Sequence, residues 1–312
     1  MGSSAAANRL GFVGVTASRS SINRVFPRWA RVLSLGEVRF EPVDLPLDAP
    51  SEAYRKVVAE IRDDPKHRGA LVTTHKVRLL EATADLFDEL DPHAERLGEV
   101  SCISKRGRRL RGHAKDPVTA GQAMDDFLPR GHFERTDAEV VCLGAGGAGL
   151  AIATTLMVRE PADDRPSRLV LVDRDPRRLD WCRHVLGQLG GDVSVRIVVN
   201  EDPEHNDRLV ATAQPGSLVI NATGLGKDAP GAPVTSAVHF PEGGLVWELN
   251  YRGELDLLHL AHAQADARHL HVEDGWNYFI YGWSAVVAET FDIDIDEHTL
   301  RRLSDEAAEV RS

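Results

Sequence analysis

An α/β fold in two domains is predicted by three features of the sequence. The chain has 312 residues, enough to bury two hydrophobic cores. Short apolar runs alternate with helix-like stretches along most of its length, the pattern of a parallel sheet covered on both faces. The run Gly144-Ala145-Gly146-Gly147-Ala148-Gly149 follows an apolar strand directly and opens a helical stretch.

The first half reads as an α/β domain. Gly11–Thr16 is a short apolar strand, and Asn23–Leu35 the helix after it. Val38–Leu45 reads as a strand and Ser51–Asp63 as a helix with Ser51 at its N-cap. Ala70–Thr73 is apolar and β-branched, with helical sequence from Lys76 to Leu90. Val100–Gly112 holds Lys105-Arg106-Gly107-Arg108 between two β-like runs and predicts a hairpin whose basic cluster is solvated. A helix over Pro117–Phe127 leads into the polar stretch Pro129–Asp137, where the domain boundary is expected.

The second half alternates more regularly. Glu139–Leu143 is an apolar strand running into the glycine loop and a helix to Val158. Arg168–Val172 is a strand ending at Asp173, followed by a helix over Pro176–Leu189. Val193–Val199, Ser217–Ala222, Leu245–Tyr251 and His269–Val272 read as further strands. The opening Met1–Asn8 is short and polar and reads as a loose terminus.

The glycine loop carries the first functional inference. Gly144 permits the tight turn, Gly146 lets backbone approach a pyrophosphate, and Gly149 lets helix and strand pack closely. The helix then offers unpaired N–H groups to the phosphates. Asp173 can accept hydrogen bonds from the adenosine ribose hydroxyls and would repel a 2′-phosphate. The second half is therefore expected to be a Rossmann domain for NAD or NADP, with NAD favoured on Asp173. Arg174, Arg177 and Arg178 leave the 2′-phosphate alternative open.

Composition excludes other classes. A formal net charge of −11 disfavours a surface built for nucleic acid. No apolar run approaches the roughly 18 residues of a membrane span. The 3 cysteines, Cys102, Cys142 and Cys182, form no CxxC pair, which fits a reducing, cytoplasmic setting. The 13 histidines form no metal-ligand motif, so no metal site is expected.

Five stretches, in order, resemble the shikimate/quinate dehydrogenase family. Gly14–Ser20 resembles its amino-terminal loop ending in a serine-x-serine pair, and Gly69–Lys76 its strand end leading to a lysine. Gly98–Asp116 resembles its hairpin closing on an aspartate. Asn221-Ala222-Thr223-Gly224-Leu225-Gly226 resembles the loop beside the nicotinamide, and Asp274-Gly275 the aspartate-glycine before the closing helices. The resemblance implies a substrate-binding catalytic domain over 9–128, an NAD(P)-binding Rossmann domain over 129–291, a cleft between them, and a C-terminal helix over 292–312 packing back on the first domain. It places the catalytic lysine on Lys76 and its partner acid on Asp116. Ser18, Arg19, Ser20, Thr73, Ser101 and Tyr251 become substrate contacts. Gly144, Ala145, Gly146, Gly147, Ala148, Asp173, Arg174, Asn221, Ala222, Thr223, Gly224, Leu249 and Gly275 become dinucleotide contacts.

The chemistry agrees with that assignment. Hydride leaves a carbinol carbon only as its hydroxyl proton is removed, so a base must touch that oxygen. A lysine serves when desolvation or nearby positive charge lowers its pKa, and an adjacent aspartate orients it. Such help supplies about a hundred- to ten-thousand-fold in rate.

The departures bear on the substrate. The second serine of the amino-terminal pair falls on Ile22, the asparagine before the lysine on Leu71 or Ala70, the hairpin asparagine on Ser101, the asparagine before the aspartate on Ala114, and the closing-helix glutamine on Gly282. Arg19, Ser18 and His75 are candidate replacements, Arg19 as a carboxylate fork. The aromatic run Trp276–Trp283 reads as a helix at the domain junction, and the sharper alternative is that part of it lines the substrate cleft and fills space left by the lost polar groups. The expected substrate is a cyclic polyol or carboxylate related to shikimate, quinate or a cyclitol, but not shikimate itself. The expected assembly is a monomer or homodimer with no nucleic-acid or membrane partner. A dinucleotide-binding sensor that kept the fold and lost turnover is the alternative, and a one-carbon folate dehydrogenase a weaker one.

Overall fold

The computed structural model describes residues 7–227 and 229–311. Of the expected loose terminus, residues 1–6 lie outside the described residues, while Asn8 already begins the first strand. The chain divides into two compact units, Met1–Lys115 with Ile280–Ser312, and Asp116–Phe279.

The first unit opens with β1 (Asn8–Gly14), α1 (Ile22–Val32), β2 (Val38–Asp44), α2 (Ser51–Asp63) and β3 (His67–Val72). It continues with α3 (Lys76–Thr83), β4 (Glu89–Leu90), α4 (Pro92–Leu97), β5 (Cys102–Arg106) and β6 (Arg109–His113). These strands form a 6-stranded sheet in the order β2-β1-β3-β5-β6-β4. β2, β1 and β3 are parallel, but β5 runs antiparallel to both β3 and β6. The hairpin expected over 100–112 is present as β5 and β6. Only Gly107 and Arg108 join β5 to β6, and so short a link can make a hairpin but not a crossover.

Three expectations are corrected in this unit. The helix predicted over 76–90 stops at Thr83, whose backbone (φ −136°) has left the helical region. The Asp88 N–H donates to the Leu110 carbonyl (3.0 Å) and the Leu110 N–H to the Asp88 carboxylate (2.8 Å), which draws the chain into the sheet as β4. Ser51 begins α2, but Pro50 is its N-cap, with no side-chain cap bond. The basic hairpin is not simply solvated: Lys105 is buried and its ammonium donates to the Asp64 carbonyl, while Arg108 and Arg111 pair with Asp63 and Glu89.

The second unit contains α5 (Asp116–Asp125), α6 (His132–Thr136), β7 (Val140–Leu143), α7 (Gly147–Met157), β8 (Arg168–Asp173), α8 (Pro176–Leu189) and β9 (Ser194–Val199). It continues with α9 (Pro203–Ala211), β10 (Leu218–Asn221), β11 (Leu245–Glu248), α10 (Asp256–Arg268), β12 (His271–Glu273) and the start of α11 (Trp276–Phe291). The 6-stranded sheet has the order β12-β11-β10-β7-β8-β9 and every pair is parallel. β7 sits centrally, with β8 and β9 on one side and β10, β11 and β12 on the other. This is the doubly wound arrangement, and its switch point lies between β7 and β10. β7, β10 and β11 are buried along their whole length, as strands covered on both faces must be.

The polar stretch 129–137, expected as the domain boundary, lies inside this second unit. The reason is α5, which packs on α7 through a hydrogen bond from Thr155 Oγ1 to the Pro117 carbonyl (2.7 Å).

The later part of α11 and α12 (Glu297–Ala308) belong with the first unit. Trp283 meets Phe12 edge-on at 4.9 Å. Trp29 Nε1 donates to the Leu303 carbonyl (2.8 Å), anchoring α12 on α1. Burying a large apolar side chain such as these contributes about 1.5–3 kcal/mol. Among the described residues no helix is long and apolar enough to cross a membrane.

Candidate functional site

In the first unit, the nominated residues gather at one end of the sheet. β1, β2 and β3 are parallel and end together, while antiparallel β5 begins there and β6 returns there. The loop after β1 carries Ser18, Arg19 and Ser20, and the loop after β3 carries Thr73 and Lys76. Lys76 is the half-buried first residue of α3, and its carbonyl accepts the Val100 N–H (3.2 Å). Ser101, next in sequence, donates its N–H to the His113 carbonyl (2.9 Å) and accepts the Val72 N–H on its own carbonyl (2.8 Å). Its Oγ accepts the Lys115 N–H (2.8 Å). Lys115 Nζ pairs with Glu289 (2.8 Å), so both backbone and side chain hold the residue that precedes Asp116.

Several side chains there are already committed. The Ser18 N–H donates to Asp44 (2.9 Å), and its hydroxyl donates to the same carboxylate. Arg19 is exposed and Ser20 buried. Thr73 bonds through its backbone to Val13 (2.9 Å). His75, a candidate substrate donor, is 2% exposed with both ring nitrogens occupied. Nε2–H donates to the Leu45 carbonyl (2.9 Å), leaving Nδ1 to accept the Tyr54 hydroxyl (2.9 Å). It holds the Lys76 turn to α2 and to the chain after β2, and offers no free donor on its ring. Ile22 is buried, and open space surrounds the Cβ position of Gly282.

In the second unit, the nominated dinucleotide residues lie at the carboxyl ends of the parallel strands. Gly144 (φ +103°) has its would-be Cβ 2.6 Å from the Ala222 carbonyl, so only glycine lets the loops after β7 and β10 touch. A Cβ on Gly149 would lie 2.1 Å from the Gly144 carbonyl. Gly146 is the opposite case, with nothing within 4 Å. It is the N-cap of α7 and has no side chain to satisfy the first-turn N–H groups. Gly147 and Ala148 follow, half-buried. Packed glycines on either side of an open one, at a helix N-terminus on the switch point, fit a pyrophosphate.

Asp173 closes β8. One carboxylate oxygen accepts the Ala145 N–H and the other the Asp175 N–H, each at 2.9 Å. Arg178 Nη1 is 3.9 Å away, and Arg174 is exposed. Beneath the loop, Cys142 and Cys182 direct thiols at the Gly144 and Ala145 carbonyls, and burial pushes both thiols up.

The loop after β10 is tied to the loop after β11. Asn221 Oδ1 accepts both the N–H (3.0 Å) and the hydroxyl (2.7 Å) of Thr223, and Asn221 Nδ2 donates to Glu248 (2.7 Å). A Cβ on Gly275 would lie 1.9 Å from the Leu249 carbonyl, so the Asp274-Gly275 turn seats on the same loop. Tyr251 packs against Trp276 and Phe279 at 5.6 and 4.5 Å. Asp116, the buried first residue of α5, accepts the Tyr278 hydroxyl (3.0 Å). Sequence marks Tyr278 only as one member of the aromatic run and does not mark Glu248. An acid ending the otherwise apolar strand Leu245–Glu248 was the available signal for the second. Among the described residues no group of three or more metal-ligating side chains could hold an ion.

No protein-family model matches the chain. It is 28% identical over 179 residues to the shikimate dehydrogenase (NADP(+)) of Lactococcus lactis subsp. cremoris, covering 57% of this chain and 59% of that one. It is 30% identical over 182 residues to the enzyme of the same name from Streptococcus gordonii, covering 57% and 58%. The chain therefore matches less than two thirds of the length of these relatives. Among solved structures, shikimate 5-dehydrogenase from Thermus thermophilus in complex with shikimate superposes with a TM-score of 0.70 over 97% of this chain and 99% of that one, at 22% identity. The chain is similar to shikimate dehydrogenases, in sequence over part of its length and in fold over nearly all of it. Quinate dehydrogenase from Corynebacterium glutamicum in complex with NAD matches with a TM-score of 0.71 over 97% of this chain and 99% of that one, at 20% identity. A shikimate dehydrogenase-like chain thus has relatives named for NADP and a fold neighbour holding NAD.

Proposed function

We propose that the chain is an NAD(P)-dependent oxidoreductase acting on a ring hydroxyl of a polyhydroxylated cyclohexane or cyclohexene. The observation that carries this reading is the glycine loop, open at Gly146 and packed against the Ala222–Thr223 peptide at the sheet's switch point. The dinucleotide, when bound, exchanges a hydride with the carbinol carbon. Gly144 to Ala148 hold its pyrophosphate, Asp173 its adenosine ribose, and Thr223 and Gly224 its nicotinamide end, with Leu249 and Gly275 beside them. Each Asp173 oxygen that accepts one N–H keeps a further lone pair, and its charge disfavours a 2′-phosphate. NAD is accordingly the favoured cofactor, with Arg174 and Arg178 the residues that would receive NADP.

Most of the proposed substrate contacts belong to the first unit, whereas Asp116 and Tyr251 belong to the second. Lys76 holds and moves the proton at the reacting hydroxyl, and Asp116 orients that exchange. Ser20 and Arg19 bind the far side of the ring, and Ser101, Thr73 and Tyr251 its other hydroxyls. With Ile22 in place of a second serine, the preferred ring is a relative of shikimate or quinate and not shikimate itself.

One observation favours a second reading, a dinucleotide sensor without turnover. Ser18 and His75, two candidate replacements for the missing donors, are engaged inside the first unit. Nicotinamide absorbance followed against a panel of cyclitols, quinate and shikimate separates the two. Turnover of any ring polyol supports the enzyme. Micromolar dinucleotide affinity with no turnover on the panel supports the sensor.

A further inference from the structure

We infer that Glu248 is a positioning residue for the nicotinamide end of the bound dinucleotide, acting through a closed ring of hydrogen bonds. The inference rests on the dinucleotide-binding reading above. The ring begins where Glu248 Oε2 accepts Asn221 Nδ2 (2.7 Å), and Asn221 Oδ1 accepts the Thr223 hydroxyl (2.7 Å). Thr223 Oγ1 accepts the Leu225 N–H (3.1 Å), and the Leu225 carbonyl accepts Asn250 Nδ2 (3.0 Å). The Asn250 N–H donates to Glu248 Oε1 (2.9 Å), which closes it.

The direction of every bond is set by its neighbours. Asn221 Oδ1 faces the N–H and hydroxyl of Thr223, so its amide nitrogen must point at Glu248. Glu248 therefore has to offer an acceptor to Asn221 and another to Asn250. A carboxyl group has one oxygen for each, whereas a primary amide has one oxygen for two donors. A buried acid is costly to keep, and Glu248 is 1% exposed. Thr223 is exposed and Leu225 half-buried, whereas Asn221, Glu248 and Asn250 are buried, so the ring reaches the surface on the side of the loop after β10. That end carries the peptide against which Gly144 packs. The acid thus sets, from inside the sheet, the position of the loop that meets the nicotinamide.

The test compares a whole ligand with a fragment. Wild type, Glu248→Gln and Thr223→Val are titrated with NADH, NADPH and ADP-ribose, which lacks the nicotinamide. The inference expects NADH or NADPH to bind about tenfold more weakly to each variant while ADP-ribose binds as before, the size expected for leaving one buried hydrogen-bonding group unsatisfied. It also expects the double variant to lose no more than either single one, because both open the same ring. Equal loss for ADP-ribose and the dinucleotide would make Glu248 a general structural residue and overturn the inference. Unchanged binding in both variants would overturn it as well. Wild type that binds neither ligand defeats instead the dinucleotide reading on which the inference stands.

Discussion

The carboxylate of Asp173 accepts the backbone N–H of Ala145 across 2.9 Å, tying the end of β8 to the glycine loop after β7. The acid has two tasks in the proposed function, holding that loop and accepting a ribose hydroxyl. Asp173→Ala is expected to weaken NADH binding about tenfold, the loss of charge-assisted hydrogen bonds. NADPH gains from the removed repulsion, so the affinity ratio moves toward the phosphorylated cofactor. Parallel fluorescence titrations with the two cofactors check this.

Two glycines in one loop are expected to fail differently. Gly144→Ala places a methyl 2.6 Å from the Ala222 backbone at φ +103°, so it lowers the melting temperature and abolishes dinucleotide binding together. Gly146→Ala meets nothing within 4 Å and should fold as wild type. Its methyl enters the space proposed for the phosphates, and affinity should fall by at least about tenfold, as loss of close backbone approach requires. Thermal melts beside binding titrations read out the contrast.

Tyr278 donates to Asp116, and both lie in the second unit. Tyr278→Phe removes that bond and keeps the ring that packs on Trp247. Stability should change by about 1 kcal/mol, while kcat falls several-fold because Asp116 loses its orientation. The pH–rate profile should shift with it, which a purely structural role would not cause.

Two buried groups give opposite pH dependences of stability. Burial pushes the Glu248 carboxyl up to about 7, against the pull of Asn221, Asn250 and Lys227. Its contribution is fully present below the ordinary value of 4.5 and is lost as pH rises through about 7. Burial, with help from the Arg9 guanidinium, holds His67 down at about 4. Its contribution is present above 6.5 and is lost as pH falls through about 4. Relative to wild type, Glu248→Gln should therefore gain melting temperature as pH rises from 4.5 to 7, and His67→Gln should lose it from 4 to 6.5. Each effect is on the order of 1–3 kcal/mol. Calorimetric scans across this range test both signs.

How much of this was legible in the sequence depended on whether a signal was local. α8 was read at its true bounds because Asp175 caps it and proline follows at once. The glycine loop was legible because a strand and a helix flank it. α4 carries the same kind of signal, with Asp91 capping it ahead of Pro92 and Gly98 (φ +64°) closing it, yet at 6 residues it is too short to show a helical period and falls between the helix expected over 76–90 and the hairpin expected from Val100. β4 has no local signal, since two residues become a strand only by pairing with β6. The same holds at the site. Lys76 and Asp116 came from motif resemblance, whereas the tasks of His75, Tyr278 and Glu248 depend on partners 21, 162 and 27 residues away.

The central claim is that Lys76 handles the proton at the reacting hydroxyl. Its most direct test is kcat for Lys76→Ala on the substrate that wild type turns over, with the dinucleotide Kd measured beside it. The account predicts a fall of about a hundred- to ten-thousand-fold with the Kd unchanged. A variant that turns over as fast as wild type would contradict it.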